Sequence, residues 1–280
     1  MIVITGGAGF IGSALVKRLI EKGRSIKVID INAPKIDVEF SKIDLIDYNS
    51  LKNEINCGDT VVHLAALTNA HESDNEMEKY FRTNVEGTFN VVRVCKESKA
   101  KKIVFASSIA VFDPKLEGVI DEESEKRPQN FYGVTKVIGE ELVRNSGIKH
   151  AILRFTNVYG PGGRGVINIF VKRAMSGEPV EIWGDGSQER DFLHVGDVVG
   201  AIMQALDKGN GSYNIAYGKN FCIKEVANRI IELTRSKSRV VYRETNEIPV
   251  KYLVSNAKAK KELEWNPKIS LEEGIRGLIQ

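Results

Sequence analysis

A short apolar run, Ile2-Val3-Ile4, leads straight into Thr5-Gly6-Gly7-Ala8-Gly9-Phe10-Ile11-Gly12, and helical periodicity follows over residues 10–21. Strand, glycine loop and helix in that order constrain this chain more than any other feature. The glycines fit two frames, Gly6-x-x-Gly9-x-x-Gly12 and Gly7-x-Gly9-x-x-Gly12. Both put residues without side chains where the backbone must turn tightly, approach a phosphate and let the helix pack on the strand. The helix N-terminus adds free N–H groups and a partial positive charge. Alone, such a loop is only a tight turn; its context points to the pyrophosphate of a dinucleotide. Asp30 closes the next strand, 18 residues after Gly12. A carboxylate there can bind the adenosine ribose hydroxyls and repels a 2′-phosphate. No arginine follows it directly, so NAD is favoured over NADP, with Lys35 the feature that speaks for the latter.

The alternation continues. Strands are predicted at 2–4, 25–30, 39–43, 60–63, 102–106 and 151–154, and helices at 10–21, 84–96 and 132–144. Such βαβ repetition implies an α/β fold, a Rossmann-type doubly wound parallel sheet with helices on both faces. Ligands then bind beyond the carboxyl ends of the strands. After Arg154 the character changes. Tyr159-Gly160-Pro161-Gly162-Gly163 and Gly184-Asp185-Gly186-Ser187 are turn clusters. Short strands (179–183, 212–216, 239–242) mix with helices near 166–176, 195–206 and 223–234. The expected division is a dinucleotide-binding domain over 1–155 and, over 156–280, mainly a smaller, partly interleaved α/β substrate lobe. Some segments of the second part return to the first.

With 280 residues, 42% of them hydrophobic, the chain can bury a full core. Forty basic against 37 acidic residues leave only +3, which argues against an electrostatic footprint on nucleic acid or an anionic membrane. Lys258, Lys260 and Lys261 with Glu262 read as a solvated helix face. Cys57, Cys95 and Cys222 are isolated and odd in number, so neither a disulfide framework nor a metal site is expected. No stretch approaches the roughly 20 apolar residues that span a bilayer. The apolar start lacks a basic region before it and reads as a first strand, not a signal peptide. A cytoplasmic protein is expected. Two helices carry surplus apolar residues: Val85, Phe89, Val91, Val92 and Val94 on 84–96, and Val134, Val137, Ile138, Leu142 and Val143 on 132–144. Either these helices meet a second copy in a homodimer, or they lie deep within one chain.

Tyr132 and Lys136 stand four apart and share a helix face. A free phenol titrates near pH 10, and lowering it to about 6–7 takes roughly 4–5 kcal/mol. One cation at ~6 Å, with an effective dielectric of ~20, supplies about 3 kcal/mol. The oxidised nicotinamide is a second cation, and the two together reach the needed range. Ser107-Ser108 ends a predicted strand, and Ser108 lies 24 residues before Tyr132. Its hydroxyl can hold the reacting oxygen against the base. Separately these are a surface pair and a strand-end cap. On one sheet edge they describe a site where a hydroxyl loses its proton while its carbon gives up a hydride.

These residues resemble the extended short-chain dehydrogenase/reductases, in particular the nucleotide-sugar epimerases and dehydratases, and the likeness spans nearly the whole chain. It takes in Asp44-Leu45, His63-Leu64-Ala65-Ala66, Asn84 within Thr83-Asn84-Val85-Glu86-Gly87-Thr88, and Phe105-Ala106-Ser107-Ser108. It continues through Leu153-Arg154-Phe155-Thr156-Asn157-Val158-Tyr159-Gly160-Pro161, Gly186-Ser187-Gln188-Glu189-Arg190-Asp191-Phe192 and Lys261-Glu262-Leu263-Glu264-Trp265-Asn266-Pro267. The resemblance implies Tyr132, Lys136 and Ser108 as catalytic residues and no metal. It implies NAD contacts from Gly6, Gly9, Phe10, Ile11, Gly12, Asp30, Asn32, Asp44, Leu45, Leu64, Ala65, Ala66, Asn84, Ser107, Tyr132, Lys136 and Phe155. Substrate contacts are implied for Ser108, Tyr132, Asn157, Val166 and Arg190. The arginine fork suits a diphosphate; a loop ion pair to Glu189 or Asp191 is its other reading.

Within that family, dehydratases look as though they need an Asp-Glu pair directly after the serine or threonine, where this chain has Ile109 and Ala110. The glutamate of a decarboxylating branch is missing from the same stretch. What remains suffices for 4-epimerisation through a 4-keto intermediate, with a UDP-hexose as the expected substrate: UDP-glucose and UDP-galactose, or their N-acetyl forms. A reductase or dehydrogenase exchanging NAD(H) is the alternative. A non-catalytic sensor would need only the glycine loop and Asp30. Two departures stand out: Val111-Phe112-Asp113 replaces a Val-Tyr-Gly turn, and Arg243-Glu244-Thr245-Asn246-Glu247-Ile248 stands where an Arg-x-Gly-Asp pattern is common. The second leaves the nucleotide base open. The sugar's N-acetyl preference depends on the space around Asn157, Tyr159, Val166 and Phe192.

Overall fold

The structure, a computed structural model, describes residues 1–245 and 251–280. Asn246, Glu247 and Ile248 of the altered C-terminal stretch lie outside the described residues. Strands β1 (Ile2–Thr5), β2 (Ile26–Asp30), β3 (Glu39–Lys42), β4 (Thr60–His63), β5 (Lys102–Ser108), β7 (His150–Phe155) and β11 (Gly211–Ile215) form one sheet. Its order is β11-β7-β5-β4-β1-β2-β3, and every pairing in it is parallel. The chain starts in the middle, winds outward through β2 and β3, then reverses and winds the other way from β4. The crevice beyond the strand ends opens at that reversal, between β1 and β4.

Both faces of this sheet are covered, so its central strands are apolar throughout and not alternating. Val3, Ile4, Val61 and Val62 are fully enclosed. Helices Phe10–Glu21 and Val195–Asp207 lie on one face, with Leu15, Val16, Leu19, Val198 and Ile202 in its core. Helices Gly87–Glu97 and Phe131–Arg144 lie on the other, with Val91, Val94 and Val143. The apolar surplus divides between them. Val85, Val91, Val92 and Val94 are buried inside the chain, while Phe89 stays 48% exposed. Of the five apolar residues singled out on the second helix, Val143 is buried, and Val134, Val137, Ile138 and Leu142 are half-buried.

Smaller sheets assemble over the carboxyl edge. One joins β8 (Asn157–Tyr159), β10 (Glu189–His194) and β12 (Asn220–Cys222); another joins β9 (Val180–Trp183) to β13 (Val240–Arg243). The third pairs β6 (Glu117–Ile120) with β14 (Lys251–Val254), in parallel. Several of these strands carry no local signal: β6, β8, β12 and β14 are three or four residues long, and partners elsewhere in the chain define them. The second part does return to the central sheet, through β11 and helix Val195–Asp207. Ala259, Leu263 and Trp265 join the same core, and Trp265 Nε1 donates to the Asp197 carbonyl at 3.0 Å. Helix Ala257–Glu262 buries Ala259 and leaves Lys260, Lys261 and Glu262 in solvent. No described helix is long and apolar enough to cross a membrane.

Candidate active site

The glycine loop is shaped by close approach. Gly6 sits at φ +73°, and a Cβ there would stand 2.5 Å from the Ala65 nitrogen. At Gly12 it would stand 2.1 Å from the Gly6 carbonyl oxygen, so helix and loop could not close together. A side chain at Gly7 would strike Val28, so the two glycine frames overlap instead of excluding each other. The helix begins at Phe10 after Gly9, with no side chain capping its first N–H groups. Those donors and the bare backbone fit a pyrophosphate. Asp30 also shapes the loop. Its Oδ2 accepts the Ala8 N–H and its Oδ1 the Asn32 N–H, each at 3.0 Å. Each carboxylate oxygen can accept a second hydrogen, so Asp30 can fasten the loop and still bind a hydroxyl.

A cavity of about 2710 Å³ runs from this loop along the carboxyl edge into the second part. Every residue expected to contact cofactor or substrate lines it, with the exception of Asn84. The Asn84 side chain is turned inward. It accepts the Leu67 N–H at 2.8 Å and donates to the Leu67 carbonyl at 2.9 Å and to Thr135 Oγ1 at 3.1 Å. It therefore holds the chain after β4 against helix Phe131–Arg144. Tyr80, Thr83 and Tyr252 line the cavity without having been singled out. Tyr252 reaches it only because β14 pairs with β6, which no local pattern reveals.

The reacting end is built where β5 meets helix Phe131–Arg144. Asn130 caps the helix, accepting the Gly133 N–H at 2.8 Å. A Cβ on Gly133 would lie 2.3 Å from the Ala110 carbonyl oxygen, so the helix start is pressed onto the 3-10 turn Ile109–Val111 that follows Ser108. Ser108 Oγ accepts the Ala110 N–H at 3.1 Å. Lys136 Nζ donates to the Ala106 carbonyl at 2.8 Å and lies 5.8 Å from the centre of the Tyr132 ring. No carboxylate belongs to the Ile109–Val111 turn. The nearest in sequence, Asp113, does not line the cavity; it accepts the Lys115 N–H and faces Arg127.

Burial dominates the titration of both Tyr132 and Lys136. It pushes the Tyr132 phenol up to about 12, while a hydrogen bond with Ser108 pulls the other way. It pushes Lys136 down to about 8, opposed by the Glu140 charge. The expected lowering of this phenol draws on two cations, Lys136 and the oxidised nicotinamide; among the protein's own groups desolvation is the larger effect. Stability is linked to this shift. Lys136 titrates near 10.5 when unfolded and about 8 when folded, so the unfolded chain binds more protons between those values and stability rises with pH across them. Lys136→Met removes the buried charge. At pH 7 it should stabilise the fold by up to about 3 kcal/mol and flatten the rise between pH 8 and 10.5. Urea unfolding checks this; a net loss of stability at pH 7 would refute it.

Behind the pair lies an ion pair enclosed by protein. Glu140 Oε1 accepts Ser107 Oγ at 2.6 Å and Arg154 Nε at 2.8 Å, and Oε2 accepts Arg154 Nη2 at 2.9 Å. Burial works to raise the Glu140 carboxyl, but the Arg154 hydrogen bonds and charge, with Ser107, hold it below the ordinary carboxylate range. Sequence reasoning passed over Glu140, although it stands one helical turn past Lys136. At the substrate end, Asn157 Nδ2 donates to the Asp191 carbonyl at 3.0 Å. The Asp191 carboxylate accepts Thr156 Oγ1 at 2.8 Å, the Tyr217 N–H at 2.9 Å and the Gly218 N–H at 2.7 Å. It thus ties β8, β10 and the chain after β11 together, with Arg190 beside it on the cavity wall.

A sequence profile of the NAD dependent epimerase/dehydratase family matches residues 2–216. A putative UDP-glucose 4-epimerase of Methanocaldococcus jannaschii is 36% identical, over 100% of this chain and 97% of its own. A UDP-N-acetyl-alpha-D-glucosaminuronate decarboxylase of Bacillus cytotoxicus is 30% identical, over 99% and 96%. Among solved structures, the UDP-glucose 4-epimerase of Thermotoga maritima with UDP-glucose superposes with a TM-score of 0.92 at 30% identity, covering 99% of this chain and 97% of that one. With the glycine loop, Asp30 and the Tyr132–Lys136 pair on one sheet edge, this chain belongs to the NAD-dependent epimerase/dehydratase family of the extended short-chain dehydrogenase/reductases.

Proposed function

We propose that this chain is a nucleotide-sugar 4-epimerase that interconverts UDP-glucose and UDP-galactose, or their N-acetyl forms, through a 4-keto intermediate. The observation that carries this reading is the apolar turn after Ser108. Tyr132, Lys136 and Ser108 are in place, but Ile109 and Ala110 supply no acid or base for expelling water or assisting loss of a carboxylate. Ser108 would hold the C4 oxygen, and Tyr132 would take its proton and later return it. Lys136 would stabilise the phenolate. Asn157 and Arg190, with Val166 beside them, would seat the diphosphate and sugar. NAD, which the glycine loop and Asp30 would hold, would supply a second cation near the phenol and the reversible hydride acceptor that inversion at C4 requires. In this reading residues 1–155 bind the cofactor, and most of 156–280 closes over the sugar nucleotide.

We also infer a homodimer through helices Gly87–Glu97 and Phe131–Arg144. Phe81 and Phe89, each 48% exposed, and the half-buried Val134 and Ile138 support it. Light scattering should give twice the chain mass of 31.1 kDa; the single mass would remove the inference. Proton NMR of UDP-galactose incubated with purified protein tests the activity. UDP-glucose should appear with no cofactor added, because NAD is regenerated each cycle and stays bound. No conversion of UDP-galactose or UDP-N-acetylgalactosamine, even with NAD supplied, would sink the epimerase reading. Turnover only with stoichiometric NADH would establish the reductase instead.

A further inference from the structure

Five buried polar residues form an unbroken run of hydrogen bonds between the two ends of the site. Thr5, the residue before Gly6, meets His63 Nδ1 at 2.6 Å, and His63 Nε2 meets Thr88 Oγ1 at 2.9 Å. Thr88 Oγ1 donates to the Asn84 carbonyl at 2.5 Å. Asn84 Nδ2 donates to Thr135 Oγ1 at 3.1 Å, and Thr135 Oγ1 to the Tyr132 carbonyl at 2.7 Å. None of the five is more than 2% exposed. Asn84 lies in a π-turn, Phe81–Glu86, that overlaps the start of the helix predicted at 84–96. Such turns are rare and recur at functional sites.

Hydrogen counting sets each direction. The single Thr88 proton goes to the Asn84 carbonyl, so its oxygen accepts from His63, and Nε2 carries the ring hydrogen. The neutral imidazole then accepts at Nδ1, from the Thr5 hydroxyl. The Thr135 proton goes to Tyr132, so Thr135 accepts from Asn84. Every hydroxyl donates once and every donor along the run is used, as buried polar groups require. Burial, with the Lys136 charge, pushes His63 down to about 3, so this arrangement holds at neutral pH.

We propose that His63 is a positioning residue that couples the glycine loop to the helix carrying Tyr132 and Lys136, and so holds cofactor and phenol in one register. This rests on the reading of Tyr132 as the base. The glycine loop follows β1 while Tyr132 opens a helix that comes only after β5, four strand connections later, so side chains and not continuous backbone must set their spacing. Misplacement of reacting groups by about 1 Å can cost on the order of 100-fold in rate.

Thr5→Val and Thr135→Val remove one hydroxyl at each end with little change of shape. Each should lower kcat about tenfold or more, with KM and bound NAD within about twofold of the parent. If both act through one run, the double variant falls no further than the worse single, and Thr135→Ser recovers most of the loss. Effects that multiply in the double variant, or singles within twofold of the parent, would overturn the proposal. Amide exchange gives a readout independent of turnover. Thr5→Val should speed exchange severalfold over 131–137 and leave helix Val195–Asp207 unchanged; unchanged exchange over 131–137 overturns the coupling. A protein with no epimerase activity would refute the reading above, and exchange would still decide the coupling.

Discussion

Replacing Tyr132 by phenylalanine is expected to cut turnover by about 10³-fold or more while NAD stays bound. General base catalysis by a positioned side chain is worth roughly 10²–10⁴-fold, and the groups beside the phenol are engaged elsewhere. Ser108 Oγ accepts the Ala110 N–H, Lys136 Nζ is held by the Ala106 carbonyl, and the Ile109–Val111 turn has no carboxylate. The cofactor contacts should survive, because the glycine loop, Asp30 and the unmasked helix start at Phe10 lie on other elements. The substituted ring fills the same buried volume, and it removes a phenol that burial already disfavours as an anion. Steady-state assays on UDP-galactose, with NAD released by denaturation and counted, check both halves. Near-normal turnover would remove Tyr132 from the mechanism; loss of NAD would mean that the phenol hydroxyl supports the cofactor pocket.

Glu140→Gln should destabilise the fold by about 3–5 kcal/mol, because it leaves the Arg154 guanidinium buried without its counter-charge. Glu140 is 0% and Arg154 1% exposed, so water cannot take over the lost contacts. The remaining Arg154 partner within bonding distance is the Glu122 carbonyl, at 3.0 Å from Nη1. A loss of that size is a large part of the roughly 5–15 kcal/mol that holds most domains together. Removing both charges in Glu140→Gln/Arg154→Met should recover much of it, since an apolar replacement avoids the desolvation of two ions. Urea denaturation of the double variant and of Glu140→Gln and Arg154→Met singly decides the matter. A double variant as unstable as the sum of its singles would show that the two side chains act separately. Ser107 gives a second signature: its hydroxyl loses a charged acceptor, so NAD affinity should weaken in the single variant.

Much of the cofactor half was legible because it depends on neighbours in sequence. The Gly6–Gly12 loop, Asp30 at the end of β2 and the Phe10–Glu21 helix each follow from residues within about 20 positions of one another. The helix called at 10–21 and the strand called at 60–63 keep those bounds. The Tyr132–Lys136 spacing likewise places both groups on one helix face. Asn84 stands in its expected motif, but packing decides where its amide points. Its helix opens with a π-turn, and its amide is consumed by Leu67 and Thr135, partners on a different loop and a different helix.

The substrate half shows the opposite case. Strands β6 and β14 have no alternation that marks them, and their pairing spans more than a hundred residues. That pairing brings Tyr252 to the cavity. Glu140 and Arg154 were readable as a helix charge and a strand charge, and only packing turns them into one buried pair. The sign of the Tyr132 shift was also beyond sequence, since charge spacing can be counted along a helix while desolvation depends on what closes around it. From its sequence alone this chain has a parallel sheet, a dinucleotide loop and a phenol–lysine pair, because local spacing specifies each of them. Which polar groups meet out of water, and what that does to their protons, was decided by the tertiary structure, because burial is a property of the whole fold.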